Sequence, residues 1–218
     1  MPNSLDYMGG EESMQRMFLC ARLPDVSSLF LNWIDENMLP KTLVWIPTAA
    51  YQEGDSSFVR ARKSFFEIHG FSVEILELAE AEPAYAKNIL KQARVLYISG
   101  GNTFFLLKEF QKCDLLDYVR QRVQQGMAYV GESAGAMLAA QDIGFAAFLD
   151  DPNAAPGLQS TEGLALVDFY PLPHWGDWAY QKGLEKIWEA YGESRCLVNI
   201  TNCQTIIQKD GHRQCLEE

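Results

Sequence analysis

Met127-Ala128-Tyr129-Val130-Gly131-Glu132-Ser133-Ala134-Gly135-Ala136-Met137-Leu138-Ala139-Ala140 is the stretch on which the reading of this chain turns. Met127–Val130 is a short apolar run of strand character, and Ala136–Ala140 has helical character. Between them lies a G-x-S-x-G pentapeptide, Gly131 to Gly135. Strand, sharp turn and helix in that order form the context of a nucleophile elbow, in which a serine is held exposed on a strained turn. Gly131 and Gly135 remove the clashes that side chains would make there. The helix that follows points its first N–H groups towards the serine oxygen, where negative charge would develop. Ser133 is therefore the candidate nucleophile.

Working outward, short β-rich runs alternate with helical patterns. Arg16–Cys20, Thr42–Ile46, Phe71–Glu77, Arg94–Ile98 and Met127–Val130 read as strands, several of them nearly continuous apolar segments, as expected of strands covered on both faces. Val26–Asn37, Ser56–His69, Ala84–Gln92 and Thr103–Gln125 carry helical spacing, with Gly70 placed as a C-terminal cap. This βαβαβαβαβ order predicts an α/β fold, a three-layer sandwich around a mostly parallel central sheet. Beyond the elbow, Asp150–Pro156 is turn-rich, and Leu164–Phe169 reads as a further strand ending on the same sheet rim. A helix is expected over Trp178–Tyr191, then strand, turn and strand from Cys196, with Asp210-Gly211 as the turn. Residues 1–14 read as a loose polar arm and 15–218 as one domain.

Composition narrows the function classes. Of the 218 residues 48% are hydrophobic and 22% charged, as in an ordinary globular chain, and no apolar run is long enough to span a membrane. The first twelve residues lack the basic flank and apolar stretch of a secretory signal. A net charge of −11 repels phosphate backbones and argues against a nucleic-acid partner. Five cysteines without a CxxC pair read as buried reduced thiols of a cytoplasmic protein. Three scattered histidines offer no metal-ligand spacing, and no metal or other cofactor is expected.

A second segment belongs to the same rim. Ser99-Gly100-Gly101-Asn102-Thr103 ends one strand and opens a helix, and ligands of open α/β sheets bind beyond the carboxyl ends of the strands. A glycine N–H there, with that of Ala134, could form an oxyanion hole, and Asn102 is a candidate substrate contact. A serine hydroxyl needs a base. His174, in Pro171-Leu172-Pro173-His174-Trp175-Gly176-Asp177, is the candidate, because His69 lies at a helix end and His212 in a terminal turn.

Leu96-Tyr97-Ile98-Ser99-Gly100-Gly101-Asn102-Thr103, the elbow pentapeptide and Leu172-Pro173-His174 together resemble peptidase E. That family includes aspartyl dipeptidases, is related to cyanophycinases, and has a class I glutamine amidotransferase-like (flavodoxin-like) fold. The resemblance runs from about Met17 to Gly211 with the motifs in the same order. It implies hydrolysis of a small peptide or amide without a cofactor, with Ser133 as nucleophile, His174 as base, and the N–H groups of Gly101 and Ala134 around the oxyanion. It allows a monomer or a homodimer.

The third member departs from the pattern. Where the family carries an acid on the C-terminal segment, this chain has Ile200-Thr201-Asn202-Cys203-Gln204, which places Asn202 as the orienter of His174. Exchange of the acid for its amide costs roughly 10⁴ in rate in the serine-protease template. Either another carboxylate (Asp150 first, then Asp151, Asp168 or Asp177) orients the histidine, or the site is slow or vestigial in a binding protein. The resemblance implies a substrate-binding arginine on the helix after the histidine, where this chain offers Lys182 and Lys186. Trp175, Trp178 and Tyr180 are candidate pocket walls. A glutamine amidotransferase-like reaction at Cys203 or Cys113 is a weaker alternative, since neither cysteine sits in an elbow.

Overall fold

The computed structural model describes residues 15–53 and 56–218, so the expected arm at 1–14 lies outside the described residues. Nine strands appear among the described residues, in chain order: β1 (Arg16–Cys20), β2 (Thr42–Ile46), β3 (Ser72–Ile75), β4 (Val95–Ile98), β5 (Ala128–Glu132), β6 (Tyr170–Pro173), β7 (Leu197–Ile200), β8 (Gln204–Lys209) and β9 (His212–Glu217). Seven form one sheet in the order β3-β2-β4-β5-β1-β8-β9. The first five of that order pair in parallel, while β8 and β9 add an antiparallel edge. The helices are α1 (Ser27–Glu36), α2 (Ser56–Ile68), α3 (Pro83–Gln92), α4 (Thr103–Lys112), α5 (Leu116–Gln124), α6 (Ala134–Leu138) and α7 (Trp178–Tyr191).

The apolar runs of the central strands follow from the two-residue period of a strand. Phe18, Cys20, Leu43, Trp45, Val95, Tyr97, Ala128 and Val130 face one core, which α1 and α2 complete with Phe30, Trp33, Ile34 and Phe66. Their alternate neighbours Met17, Leu19, Val44, Ile46, Leu96, Ile98 and Tyr129 face a second core, filled by side chains of α3 to α7. Both faces are covered, so both alternating sets must be apolar. No helix among the described residues is long and apolar enough to cross a membrane.

Three expectations are corrected. The helical pattern over Thr103–Gln125 is two helices, interrupted at Cys113–Leu115, where Asp114 adopts φ 51°. Leu164–Phe169 is not a strand. Its N–H groups bond the carbonyls that end the elbow helix, with Leu164 donating to Leu138, Ala165 to Ala140 and Leu166 to Ala139 at 2.9–3.0 Å. Its apolar character serves burial under that turn. The strand comes immediately after, as β6, and pairs in parallel with β7 in a separate two-stranded sheet, where neither strand has a second neighbour. Pro171 and Pro173 are tolerated in such an edge position because no ladder needs their missing N–H. Of the five cysteines, all free, only Cys20 and Cys113 are buried; Cys196 before β7, Cys203 between β7 and β8, and Cys215 on β9 are exposed. The Asp210-Gly211 turn joins β8 to β9 as expected, with φ 50° and 79° as a two-residue I′ hairpin requires.

The elbow shows why its glycines are needed. A Cβ on Gly135 would lie 2.2 Å from the Ile98 carbonyl oxygen, and one on Gly131 would lie 2.6 Å from the Gly135 oxygen. The start of α6 is thus pressed onto β4 and β5. Gly135→Ala should lower the stability by about 3 kcal/mol or prevent folding, since backbone must move to admit the methyl group. Gly157→Ala, at φ 82° with nothing within 4 Å of the new carbon, should cost only about 1 kcal/mol of backbone strain. Urea denaturation of the two variants checks the contrast.

Candidate active site

β1, β2, β4 and β5 are parallel, so the segments that follow them share one rim of the sheet. Those segments carry Ala21-Arg22, Ala49-Ala50, Ser99 to Asn102, and Ser133. Two adjoining cavities of about 410 and 330 Å³ open there, and Gly101, Ser133, His174 and Tyr180 line both. Arg22, Phe58, Arg62, Gly100, Glu132 and Asp177 are among the others lining the larger; Asn102, Met137, Leu149, Asp150 and Asp151 complete the smaller.

Ser133 sits at the N-cap of α6 with φ 51° and ψ −109°, a strained backbone for a residue with a side chain. Its N–H donates to the Cys20 carbonyl at 2.9 Å, which pins the elbow to the end of β1. Gly100 approaches from β4, where a Cβ would lie 2.9 Å from that of Ser133. Gly101 takes φ 134°, and a side chain on it would collide with the Ala49 backbone at 2.2 Å. The Ala134 N–H, as the first of α6, has no intrahelical carbonyl to bond.

His174 follows β6 and is 6% exposed. Register brings it to its partner: β6 and β7 pair in parallel up to Pro173 and Ile200, so the residues just beyond, His174 and Asn202, meet. The bond from the Trp175 N–H to the Ile200 carbonyl at 3.0 Å holds the two exits together. His174 Nε2 lies 2.9 Å from Ser133 Oγ, and its Nδ1 lies 3.0 Å from Asn202 Oδ1. Tyr180 stacks on the imidazole, centroids 4.3 Å apart and planes 16° apart. Burial pushes the His174 pKa below its ordinary value, opposed by the Asn202 hydrogen bond and the charges of Asp177 and Glu132. The site therefore favours a neutral imidazole, the form a base requires.

The remaining expected residues are placed as follows. Asp150 does not reach His174. Its Oδ2 accepts from the Thr103 N–H at 2.9 Å and the Thr103 hydroxyl at 2.5 Å, because the first turn of α4 leaves donors unpaired. Burial raises the Asp150 pKa. Asn102 lines the smaller cavity, but its side chain caps α4 through Phe105 N and donates to the Asp151 carbonyl. Trp175 lines neither cavity and meets Trp188 edge to face, and Trp178 is 90% exposed. Lys182 is exposed on α7 and lines neither cavity. Cys113 is buried in the core, and Cys203 is exposed between β7 and β8.

The cations at the cavity are instead Arg22 and Arg62, neither of which the sequence reading singled out. Arg62, on α2 and 6% exposed, donates from Nη2 to Glu132 Oε1 at 2.5 Å. The same carboxylate accepts the Leu23 N–H at 3.1 Å and the Tyr97 hydroxyl. The Arg62 Nε and Nη1 atoms are buried without a hydrogen-bond partner among the described residues. A carboxylate at the end of the apolar strand β5 needs such a cation, so Glu132 inside the pentapeptide was the signal for a buried basic residue. Spacing alone could not say which one.

Three comparisons with known proteins bear on this geometry. The profile of peptidase family S51 matches residues 19–215. An uncharacterized peptidase of Pasteurella multocida is 34% identical over 194 residues, 89% of this chain and 93% of that protein. Peptidase E of a Nostoc species is 30% identical over 137 residues, 62% of this chain and 52% of that protein. The crystal structure of a Listeria monocytogenes protein, described as a candidate peptidase E, superposes with a TM-score of 0.86 at 30% identity, covering 94% of this chain and 99% of that one.

Removing one partner of the buried ion pair tests its energetic role. Arg62→Met should cost about 3 kcal/mol by leaving the Glu132 charge without its cation. Combining it with Glu132→Gln should recover most of that loss. Chemical denaturation of the two single variants and the double variant measures the coupling.

Proposed function

The chain belongs to peptidase family S51 and is a serine-type peptidase, and from that premise we propose that it hydrolyses short peptides through an acyl-enzyme on Ser133. The observation that carries the proposal is the continuous relay Ser133 Oγ, His174 Nε2, His174 Nδ1, Asn202 Oδ1, with links of 2.9 and 3.0 Å at the mouth of two cavities.

Each group has a role that its position supports. His174 Nε2 takes the Ser133 proton as the hydroxyl oxygen attacks the scissile carbonyl carbon. The N–H groups of Gly101 and Ala134 receive the oxyanion, worth about 3–4 kcal/mol per donor in comparable sites. The imidazolium, held through Nδ1–H by the Asn202 oxygen, then donates its Nε2 proton to the departing amine. Water enters, His174 takes its proton, and the acyl group leaves Ser133 as a carboxylate. Every step uses groups of this chain and water.

Arg22 and Arg62 favour substrates carrying a carboxylate, and an N-terminal aspartate fits that requirement better than a neutral residue. The Nostoc relative, named peptidase E, lends the same direction. Free thiols and the acidic surface fit a cytoplasmic protein that acts on small peptides and not on nucleic acid. A competing reading keeps the fold as a binding or regulatory protein, and it is Asn202 in place of an acid that favours it.

A dipeptide panel separates the readings. The wild type should cleave Asp-X faster than Asn-X or Leu-X, and Ser133→Ala or His174→Ala should lower kcat/KM at least about 10³-fold. Arg22→Ala should raise KM for Asp-X about tenfold, and Lys182→Ala should change nothing. Because His174 works as the neutral form and its pKa is depressed, kcat/KM should fall only as pH drops below the ordinary histidine range. A wild type inactive on the whole panel would favour the binding protein. Equal rates for Asp-X and Leu-X would remove the role given to the arginines.

A further inference from the structure

We propose that Asp177 is a fourth, positioning member of the relay, which sets its polarity from one hydrogen bond behind Asn202; this rests on Ser133 and His174 serving as nucleophile and base.

The argument follows from what each group can donate. Asp177 closes a turn that begins at His174: its N–H donates to the His174 carbonyl at 3.0 Å, and Gly176 supplies the φ of 83° that the third position of such a turn needs. The turn returns the carboxylate to the far side of Asn202, whose Nδ2 donates to Asp177 Oδ2 at 3.2 Å. Asp177 Oδ1 meanwhile accepts the Ala179 N–H at 3.0 Å and caps α7. These two hydrogen bonds, the backbone one first, hold the carboxyl below its usual pKa and keep it ionised.

An ionised carboxylate only accepts, so the NH₂ end of Asn202 must face it. The amide oxygen then has to face His174, and an oxygen there requires the proton on Nδ1. That leaves the lone pair on Nε2, aimed at the Ser133 hydroxyl. One negative charge thereby decides an amide orientation and a tautomer, both of which an isolated Ser–His–Asn relay would leave open. The acid missing at position 202 is retained one residue further out.

Asp177 could instead be no more than a helix cap. The imidazole titration separates the two roles, provided its other neighbours are held constant. His174 faces Asn202 from the turn after β7, Tyr180 from α7, Glu132 from β5, Arg22 from the segment after β1, and Asp150 from the loop after α6. None of these is altered in Asp177→Asn, which also keeps a side chain able to cap α7.

The experiment is an NMR titration of ring-labelled histidine, with kcat/KM against pH measured alongside, in wild type, Asp177→Asn, Asn202→Asp and the double exchange. For Asp177→Asn we expect a lower His174 pKa, loss of the Nδ1–H tautomer signature and about a 10²-fold fall in kcat, with the melting temperature nearly unchanged. Asn202→Asp alone sets two carboxylates against each other and should fall below wild type. The double exchange places an acid directly on the imidazole with an amide behind it, and should restore activity and raise the His174 pKa by about one unit or more. A wild-type His174 titration and wild-type kcat in Asp177→Asn would overturn the proposal. The titration needs no turnover, so it reads the coupling of Asp177 to His174 even if Ser133→Ala retained peptidase activity, a result that would strike the catalytic reading itself.

Discussion

The close approach of α6 to β4 is the constraint on which the site depends. Gly135 lies so near the Ile98 carbonyl that no side chain fits, and the chain can make that approach only by turning sharply at Ser133. The turn forces a positive φ on a residue that carries a side chain, and the strain is met by surroundings that over-determine the position. Ser133 N–H is bonded to the end of β1, Gly100 presses from the end of β4, and Tyr129 donates its hydroxyl to the Gly135 carbonyl at 2.6 Å. The half-buried serine side chain is left facing His174 and the two cavities.

A second small sheet carries the other half of the site. β6 and β7 stand apart from the central sheet, and their parallel register delivers His174 and Asn202 together. His174 itself takes φ 67°, so both members of the Ser–His contact sit on backbone that favours glycine. Unusual backbone at two neighbouring candidate positions is what a preorganised relay would require, since its geometry must be held before substrate arrives.

Much of this was legible in the sequence for an identifiable reason. The central strands had to be apolar on both faces, so their runs, the helices between them and the glycine-bounded elbow stood out together. His174 could be found by elimination among three histidines. Other features were hidden because their meaning is tertiary. Leu164–Phe169 has the apolar content of a strand, yet it is buried by bonding the carbonyls after α6. Thr103–Gln125 keeps helical periodicity across a break that only the φ of Asp114 reveals. Asp150 sits near the site but is drawn to the unpaired donors of α4, and Lys182 projects to solvent from the exposed face of α7. Arg62 lines the same cavity as Ser133 because it pairs with Glu132, seventy residues further along the chain. The register between β6 and β7, which decides that Asn202 touches His174, has no local signature at all.

The central claim is that Ser133, activated by His174, is the nucleophile of this peptidase. The most direct measurement treats the native protein with a fluorophosphonate and locates the adduct by peptide mass spectrometry. The account predicts one stoichiometric label on Ser133, abolished when the protein is first unfolded. Failure to label, or a label on any other residue while Ser133 stays unmodified, would contradict it.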